Sequence, residues 1–536
     1  MSKVGKNIVT GTLVACLSLC AFTAQAQDNA NSSTSYQPNF AAFELNRSEN
    51  WSPLLTEDLN GDGLLDLIYG DYTQANGREL LIHYQDVNGD FPNTPQRIDI
   101  KSEIIAIGFG DLRDEPGTEL ILHAANGVFS LSAGTEGYAD NLKPIMQFDS
   151  LVSIASQRRV EFLPQLKSRN GEQFPDLLLP AEKGFRFFRG NAEGFSDAGG
   201  ITTVNDSLTL ARRNNRETNL ETNLGINAEA GISIKVEVAR QNPFDDFVSA
   251  WDSNADKRAL LDTADWIPNA VFADFDGDGK EDLAFINLDD NAQPQLNIAY
   301  QTEEGFSDDE LWSTSFEDGD ELQFADLNDD GRQDLYSLAG DGDEWEARFY
   351  LSYATESEKS AFNIVRPDQL MRFAGYDVRI DTLPLATGAT ALSVSYYTLP
   401  VVDAIRNASI NRTQLLYAPE ATNEAGGTLF ARRPTSQLVE SFSASNVRGL
   451  SEQMSLRYDI DGDGRRDALF ITERGTLAAK KIDDNLQIAT QAFWEYTSDK
   501  TVFEFEVLAL NSDAIPDLIL RHGNSITVLV SRGGSQ

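Results

Sequence analysis

A chain of 536 residues is too long for one ordinary core, so several domains or a repeat architecture is expected. Its formal net charge of −41 argues against nucleic acid and anionic membrane surfaces as partners. The two cysteines, Cys16 and Cys20, both lie near the N-terminus, which removes thiol catalysis and cysteine-ligated zinc or iron from the rest of the chain.

Residues 1–26 read as an export signal. Lys3 and Lys6 supply a positive region, residues 8–22 are largely apolar, and Ala24-Gln25-Ala26 fits a small-residue cleavage site before Gln27. Leu13-Val14-Ala15-Cys16 has the form of a lipoprotein signal, a competing reading opposed by the apolar run that continues past Cys16. The expected destination is therefore periplasmic or extracellular, with lipid anchoring at Cys16 as the minor alternative. No other apolar run approaches the roughly 18 residues of a membrane span, so no transmembrane helix is expected. Residues 27–35 are small and polar and are expected to form a disordered leader. Residues 36–536 have a globular composition.

One nonapeptide organises that region. Asp58-Leu-Asn-Gly-Asp-Gly-Leu-Leu-Asp66 recurs as Asp274-Phe-Asp-Gly-Asp-Gly-Lys-Glu-Asp282, Asp326-Leu-Asn-Asp-Asp-Gly-Arg-Gln-Asp334 and Asp459-Ile-Asp-Gly-Asp-Gly-Arg-Arg-Asp467. The shared grammar is D-x-[DN]-x-D-G-x-x-D. Oxygen-bearing side chains at positions 1, 3, 5 and 9 converge when the chain curls, glycine at position 6 permits the sharp turn, and the carbonyl of position 7 can point inward. Such an all-oxygen cage suits Ca2+. Asp/Gly turns alone would favour some of these residues for backbone reasons. Turn chemistry does not explain several carboxylates within nine residues, repeated four times, where like charges repel.

Each loop is flanked by short apolar segments. Asp66-Leu-Ile-Tyr-Gly follows the first and Asp282-Leu-Ala-Phe-Ile the second, with Glu79-Leu-Leu-Ile-His-Tyr and Gln295-Leu-Asn-Ile-Ala-Tyr as the next strands. Strands broken by turns every ten or so residues predict an all-β array. Degenerate copies fill the gaps. Asp111 to Glu119 keeps acids at positions 1, 5 and 9 but has Arg113 at 3 and Pro116 at the glycine position, which should abolish metal binding. A stretch near 165–175 keeps the phase without the acids, Asp381 keeps only the first acid, and Asn511, Asp513 and Asp517 match positions 3, 5 and 9. Loop starts fall at 58, 111, 165, 274, 326, 381, 459 and about 509, mostly one four-stranded propeller blade apart. The expected fold is an all-β propeller of seven or eight four-stranded blades, closed by pairing of residues 526–530 with the N-terminal segment. Two long steps imply insertions at about 203–265 and about 403–440. The first carries the basic Arg212-Arg-Asn-Asn-Arg216 and an alternating strand over 231–238.

These loops and flanks resemble the FG-GAP repeats of integrin α-chain propellers and their bacterial relatives, the VCBS-repeat proteins. Phe109-Gly110-Asp111 echoes the first half of the motif, while Gly70 is followed by Asp71 and Tyr72 rather than by the second half. The resemblance implies a loop joining the first two strands of a blade, with Ca2+ stiffening one face of the ring. It implies ligands Asp58, Asn60, Asp62 and Asp66 with the Leu64 carbonyl, and Asp274, Asp276, Asp278 and Asp282 with that of Lys280. It likewise implies Asp326, Asn328, Asp330 and Asp334 with the Arg332 carbonyl, and Asp459, Asp461, Asp463 and Asp467 with that of Arg465. About four Ca2+ ions are thus expected. The repeats serve adhesins, lectins and lyases alike, so fold does not settle function.

No catalytic motif emerges. The three histidines, His83, His123 and His522, lie in or at the ends of strands without metal-ligand neighbours, and no nucleophile elbow, zincin or P-loop signature is present. The six tryptophans, Trp51, Trp251, Trp266, Trp312, Trp345 and Trp494, read as core or blade-edge residues before they read as sugar platforms. The expectation is a monomeric, non-enzymatic exported module that binds a protein or glycan. A polysaccharide lyase and a lectin on the same propeller are the alternatives.

Overall fold

In the computed structural model, residues are described over most of the chain between 38 and 532; the longest stretches outside the description are 1–37, 163–175, 203–231 and 236–269. The expected signal, leader and most of the first insertion therefore lie outside the described residues.

The protein is an eight-bladed β-propeller without helices among the described residues. Blade 1 shows the plan: Leu54–Glu57, Asp66–Thr73, Gly77–His83 and Gln96–Asp99 form an antiparallel meander in chain order. Blade 2 runs from Ile104–Gly110 to Lys143–Met146, with Glu161–Phe162 added in parallel along its first strand. Blade 3 contributes three described strands, Leu177–Ala181, Gly184–Asn191 and Gly194–Thr202. Blade 4 runs from Ala270–Ala273 to Leu311–Ser315 and blade 5 from Glu321–Ala325 to Gln369–Ala374. Blade 6 spans Tyr376–Pro384 to Ser436–Ser443, and blade 7 spans Ser455–Tyr458 to Trp494–Tyr496. Blade 8 is made from both ends of the chain. Glu504–Leu508, Asp517–Arg521 and Ser525–Ser531 are completed by Phe40–Asn46, antiparallel from Phe40↔Ser531 to Asn46↔Ser525. This is the closure expected from the sequence.

The core explains why blades rather than separate domains form. A four-stranded sheet has two faces to bury, and here every face is buried against a neighbour. The described apolar residues fall into eight clusters, and each cluster joins two consecutive blades. Leu59, Ile68 and Leu80 of blade 1 meet Ile107 and Phe109 of blade 2, whereas Leu67 and Tyr69 of blade 1 meet Ile519 and Val528 of blade 8. The remaining clusters close the ring between blades 2 and 3, 3 and 4, 4 and 5, 5 and 6, 6 and 7, and 7 and 8. Several second strands are consequently buried along their length, as in Asp467–Ile471, which is buried at all five positions.

Two expectations about connections need correction. The stretch 403–440 is not an insertion as a whole, because it carries Ser409–Tyr417 and most of Ser436–Ser443, the outer strands of blade 6. The extra length lies in the connections before and between them, 399–408 and 418–435, the second pinned by a bridge between Pro419 and Phe430. Asp381 does not start a loop. It lies within Tyr376–Pro384, paired with Arg457, and the blade 6 turn comes later and is shorter, at 385–389. The strand expected over 231–238 appears as Ile232–Lys235, antiparallel to Glu321–Ala325 of blade 5. Among the described residues, no helix is long and apolar enough to cross a membrane.

Candidate metal centre

All four complete nonapeptides connect the first strand of a blade to its second. They belong to blades 1, 4, 5 and 7, and position 9 is the first residue of the second strand each time. Each loop curls around the carboxylate at position 1. Asp274 Oδ1 accepts from the backbone N–H groups of Gly277 at 2.7 Å and Asp278 at 3.1 Å, while its Oδ2 accepts from Gly279 at 2.8 Å. Asp58 and Asp459 repeat all three bonds, and Asp326 repeats those from Asp330 and Gly331. Position 3 accepts from the N–H of position 5, through Asn60, Asp276, Asn328 and Asp461. Position 5 accepts from position 7, so the N–H groups of Leu64, Lys280, Arg332 and Arg465 donate to Asp62, Asp278, Asp330 and Asp463 at 2.8–2.9 Å. Position 6 must be glycine because its φ lies near +85°, as at Gly63 and Gly279.

This skeleton turns the side chains of positions 1, 3 and 5 toward one another. Carboxylate oxygens of Asp274, Asp276 and Asp278 lie within 4.8 Å of one another, as do those of Asp459, Asp461 and Asp463. In blades 1 and 5 the carboxamides of Asn60 and Asn328 take position 3 and donate to Asp62 at 3.1 Å and Asp330 at 3.0 Å. The donor set is entirely hard oxygen, with no sulfur or imidazole, and fits Ca2+ better than a softer metal.

Position 9 has a second task that the nonapeptide alone does not reveal. Asp66, Asp282, Asp334 and Asp467 are fully buried. One oxygen of each accepts the N–H of position 2, from Leu59, Phe275, Leu327 and Ile460 at 2.9–3.0 Å. In three of them the other oxygen accepts an N–H just beyond the third strand, from Gln85, Gln301 and Ser352. The acid therefore staples the loop to the blade, and the position 2 side chain beside it is buried in the core between blades. Burial, reinforced by the neighbouring loop acids, pushes these carboxyls up from 3.8, to about 7 for Asp66, Asp334 and Asp467 and about 8 for Asp282. A divalent ion beside them would restore the charged form.

The loops also touch their neighbours. Thr118 N–H of blade 2 donates to Asp58 O at 2.8 Å, and a Cβ on Gly61 would stand 2.5 Å from the Pro116 side chain. The blade 1 loop is thus packed against the corresponding loop of blade 2.

The degenerate loops keep the staple and lose the cage. In blade 2, Glu119 accepts the Leu112 N–H at 2.8 Å, but Arg113 leaves the loop to donate to Ser130 O, Ser130 Oγ and Asn141 O, each at 2.7 Å. In blade 8, Asp517 accepts from Leu510 and Ser531, and Asn511 and Asp513 keep their turn bonds, while Ala509 offers nothing at position 1. The corresponding stretch of blade 3 lies outside the described residues.

All three histidines are buried. His83 contacts Pro92 O at 2.9 Å, His522 lies between Thr501 O and Thr527 Oγ1, each at 2.9 Å, and His123 is buried edge-on to Phe148. Trp312 and Trp494 pack against Phe362 and Phe40, and Trp345 packs against the core between blades 5 and 6; the other three tryptophans lie outside the described residues. A cavity of about 180 Å³ opens between blades 6 and 7, lined in part by Arg412, Glu440, Phe442 and Phe470. Its cation, Arg412, is paired with Glu440 at 2.8 Å, which also accepts from Lys480 at 2.7 Å.

No family model matches the chain, and no curated protein matches it. Among solved structures, the crystal structure of Saccharomyces cerevisiae Sqt1 is similar over 93% of this chain and 100% of that one, at 11% identity and a TM-score of 0.36. So slight a likeness carries no argument about this chain, and the eight sheets establish the fold by themselves.

Proposed function

We propose that the chain is an exported, calcium-stabilised propeller of the FG-GAP/VCBS type that serves as a non-enzymatic binding or scaffold module for a protein or glycan. The observation that supports the calcium reading best is the recurrence of one hydrogen-bond skeleton in four blades. The same backbone donors orient positions 1, 3 and 5 into a cluster of oxygens each time. Asp58, Asn60 and Asp62, and their counterparts starting at Asp274 and Asp326, would hold the ion, with the position 7 carbonyl and position 9 acid completing the shell; the Asp459 loop shares the same skeleton.

The ion's contribution is mechanical. Like charges oppose the closed loop until a cation arrives, and binding is then coupled to ordering of the loop and of the neighbouring blade it touches. The position 1 carboxylate orients the curl, position 9 anchors it, and position 2 fastens it to the core. A binding role fits a ring whose blades spend most of their apolar surface on each other. The paired charges of Arg412 and Lys480 give the lyase reading no support, because Glu440 already neutralises one and contacts both.

Glycan and protein arrays probed with the full chain, with calcium and with EGTA, test the binding role. Selective binding that weakens with EGTA is expected. Turnover of an acidic polysaccharide by the pure protein would overturn the non-enzymatic reading.

A further inference from the structure

The four complete loops differ in what faces their carboxylates. In blade 7 the third strand, Leu477–Lys481, ends beside the loop with Lys481 in register with Asp467. Strand alternation sends the two terminal lysines to opposite sides. Lys480 turns to Glu440 and lies 4.7 Å from the centre of the Phe470 ring. Lys481 turns into the loop. Its Nζ is 2.6 Å from Asp461 Oδ1, 2.9 Å from Asp463 Oδ2 and 3.2 Å from Asp467 Oδ1, and 4.5 Å from the centre of the Phe493 ring. One ammonium thus gathers positions 3, 5 and 9, the same oxygens a metal would need.

The matching residue in the other complete loops carries no charge. By the same register, Tyr84 stands there in blade 1, Tyr300 in blade 4 and Leu351 in blade 5. Blade 4 has two lysines nearby, with Lys359 3.8 Å from Asp276 and Lys280 3.3 Å from Asp278.

We propose that Lys481 is the resident cation of the blade 7 loop, neutralising Asp461, Asp463 and Asp467 in place of a divalent ion, so that the chain takes up three Ca2+ rather than four. The count rests on the calcium reading of the other loops; the role of the lysine does not. A tethered ammonium is present at high effective concentration. An incoming ion would have to displace it by breaking charge-assisted hydrogen bonds.

The test counts Ca2+ per chain by equilibrium dialysis and follows melting in EGTA. The full-length chain should bind three ions, Lys481→Met four, and Asp461→Ala still three, whereas Asp276→Ala should bind two. In EGTA, Lys481→Met should melt below the parent, and Ca2+ should close the gap. Four ions in the parent, a count lowered by Asp461→Ala, or Lys481→Met melting with the parent in EGTA would each overturn the proposal. If no variant binds Ca2+ but Lys481→Met still melts low, the calcium reading falls and the tethered cation stands. Asp461→Ala keeps the count decisive even if Lys481→Met does not fold.

Discussion

Blades 4 and 2 make the same turn from different residues. In both, an acid at the start of the second strand accepts the N–H of position 2, Asp282 from Phe275 at 2.9 Å and Glu119 from Leu112 at 2.8 Å. Blade 4 then places three aspartates around one point, whereas blade 2 puts Arg113 at position 3 and sends its guanidinium to Ser130 and Asn141. The nonapeptide therefore combines two devices. Position 9 belongs to the blade and survives in blades 2 and 8, where the cage is lost; positions 1, 3 and 5 belong to the cation.

That division can be broken most severely at position 9. Asp282→Ala would leave the N–H groups of Phe275 and Gln301 without their carboxylate. Each buried orphan costs about 1–3 kcal/mol. A loss of several kcal/mol is expected in calcium and in EGTA alike, read by urea unfolding, and Glu119→Ala should also destabilise blade 2 regardless of calcium. A loss confined to calcium buffer would make position 9 a ligand and nothing more.

A change of pH probes the same acids more gently. Asp66, Asp282, Asp334 and Asp467 have carboxyls raised from 3.8 to about 7 or 8. Between those values the folded chain holds protons that the unfolded chain has released, so stability in EGTA should fall as pH rises from about 4 to about 8 and level off above that. The slope is at most about 1.4 kcal/mol per pH unit for each group. Saturating calcium should flatten it, and equal slopes with and without the ion would separate these acids from the metal.

The smallest effect is expected from Arg113→Asp. It restores an acid at position 3 of blade 2, but Pro116 occupies the position where the complete loops need a glycine with φ near +85°. The calcium count should stay unchanged, and stability should drop by about 1–2 kcal/mol as the bonds to Ser130 and Asn141 go. A gained ion would show that the glycine is dispensable.

Much of this was legible in the sequence because the loops repeat with their phase intact. Even blade 8 could be read from Asn511, Asp513 and Asp517, although position 1 is Ala509. Blade 6 was misphased because its turn is shortened to 385–389, so that Asp381 fell into a strand, where Arg457 pairs with it. The blade 6 strands within 403–440 were obscured by the long connection between them. The staple at position 9 was legible as an acid but not as a staple, since its partners Gln85 and Gln301 are backbone groups 19 residues away. Lys481 looks in sequence like half of a solvated lysine pair. Only the register with Asp467 separates its role from that of Lys480.

Scanning calorimetry of the full-length chain in 1 mM calcium and in excess EGTA weighs the central claim most directly. The melting temperature should fall clearly on chelation and return when calcium is added back, with Asp274→Ala showing a smaller fall than full chelation. Superimposable melting curves across a wide calcium range would mean that the oxygen clusters of these loops hold no ion.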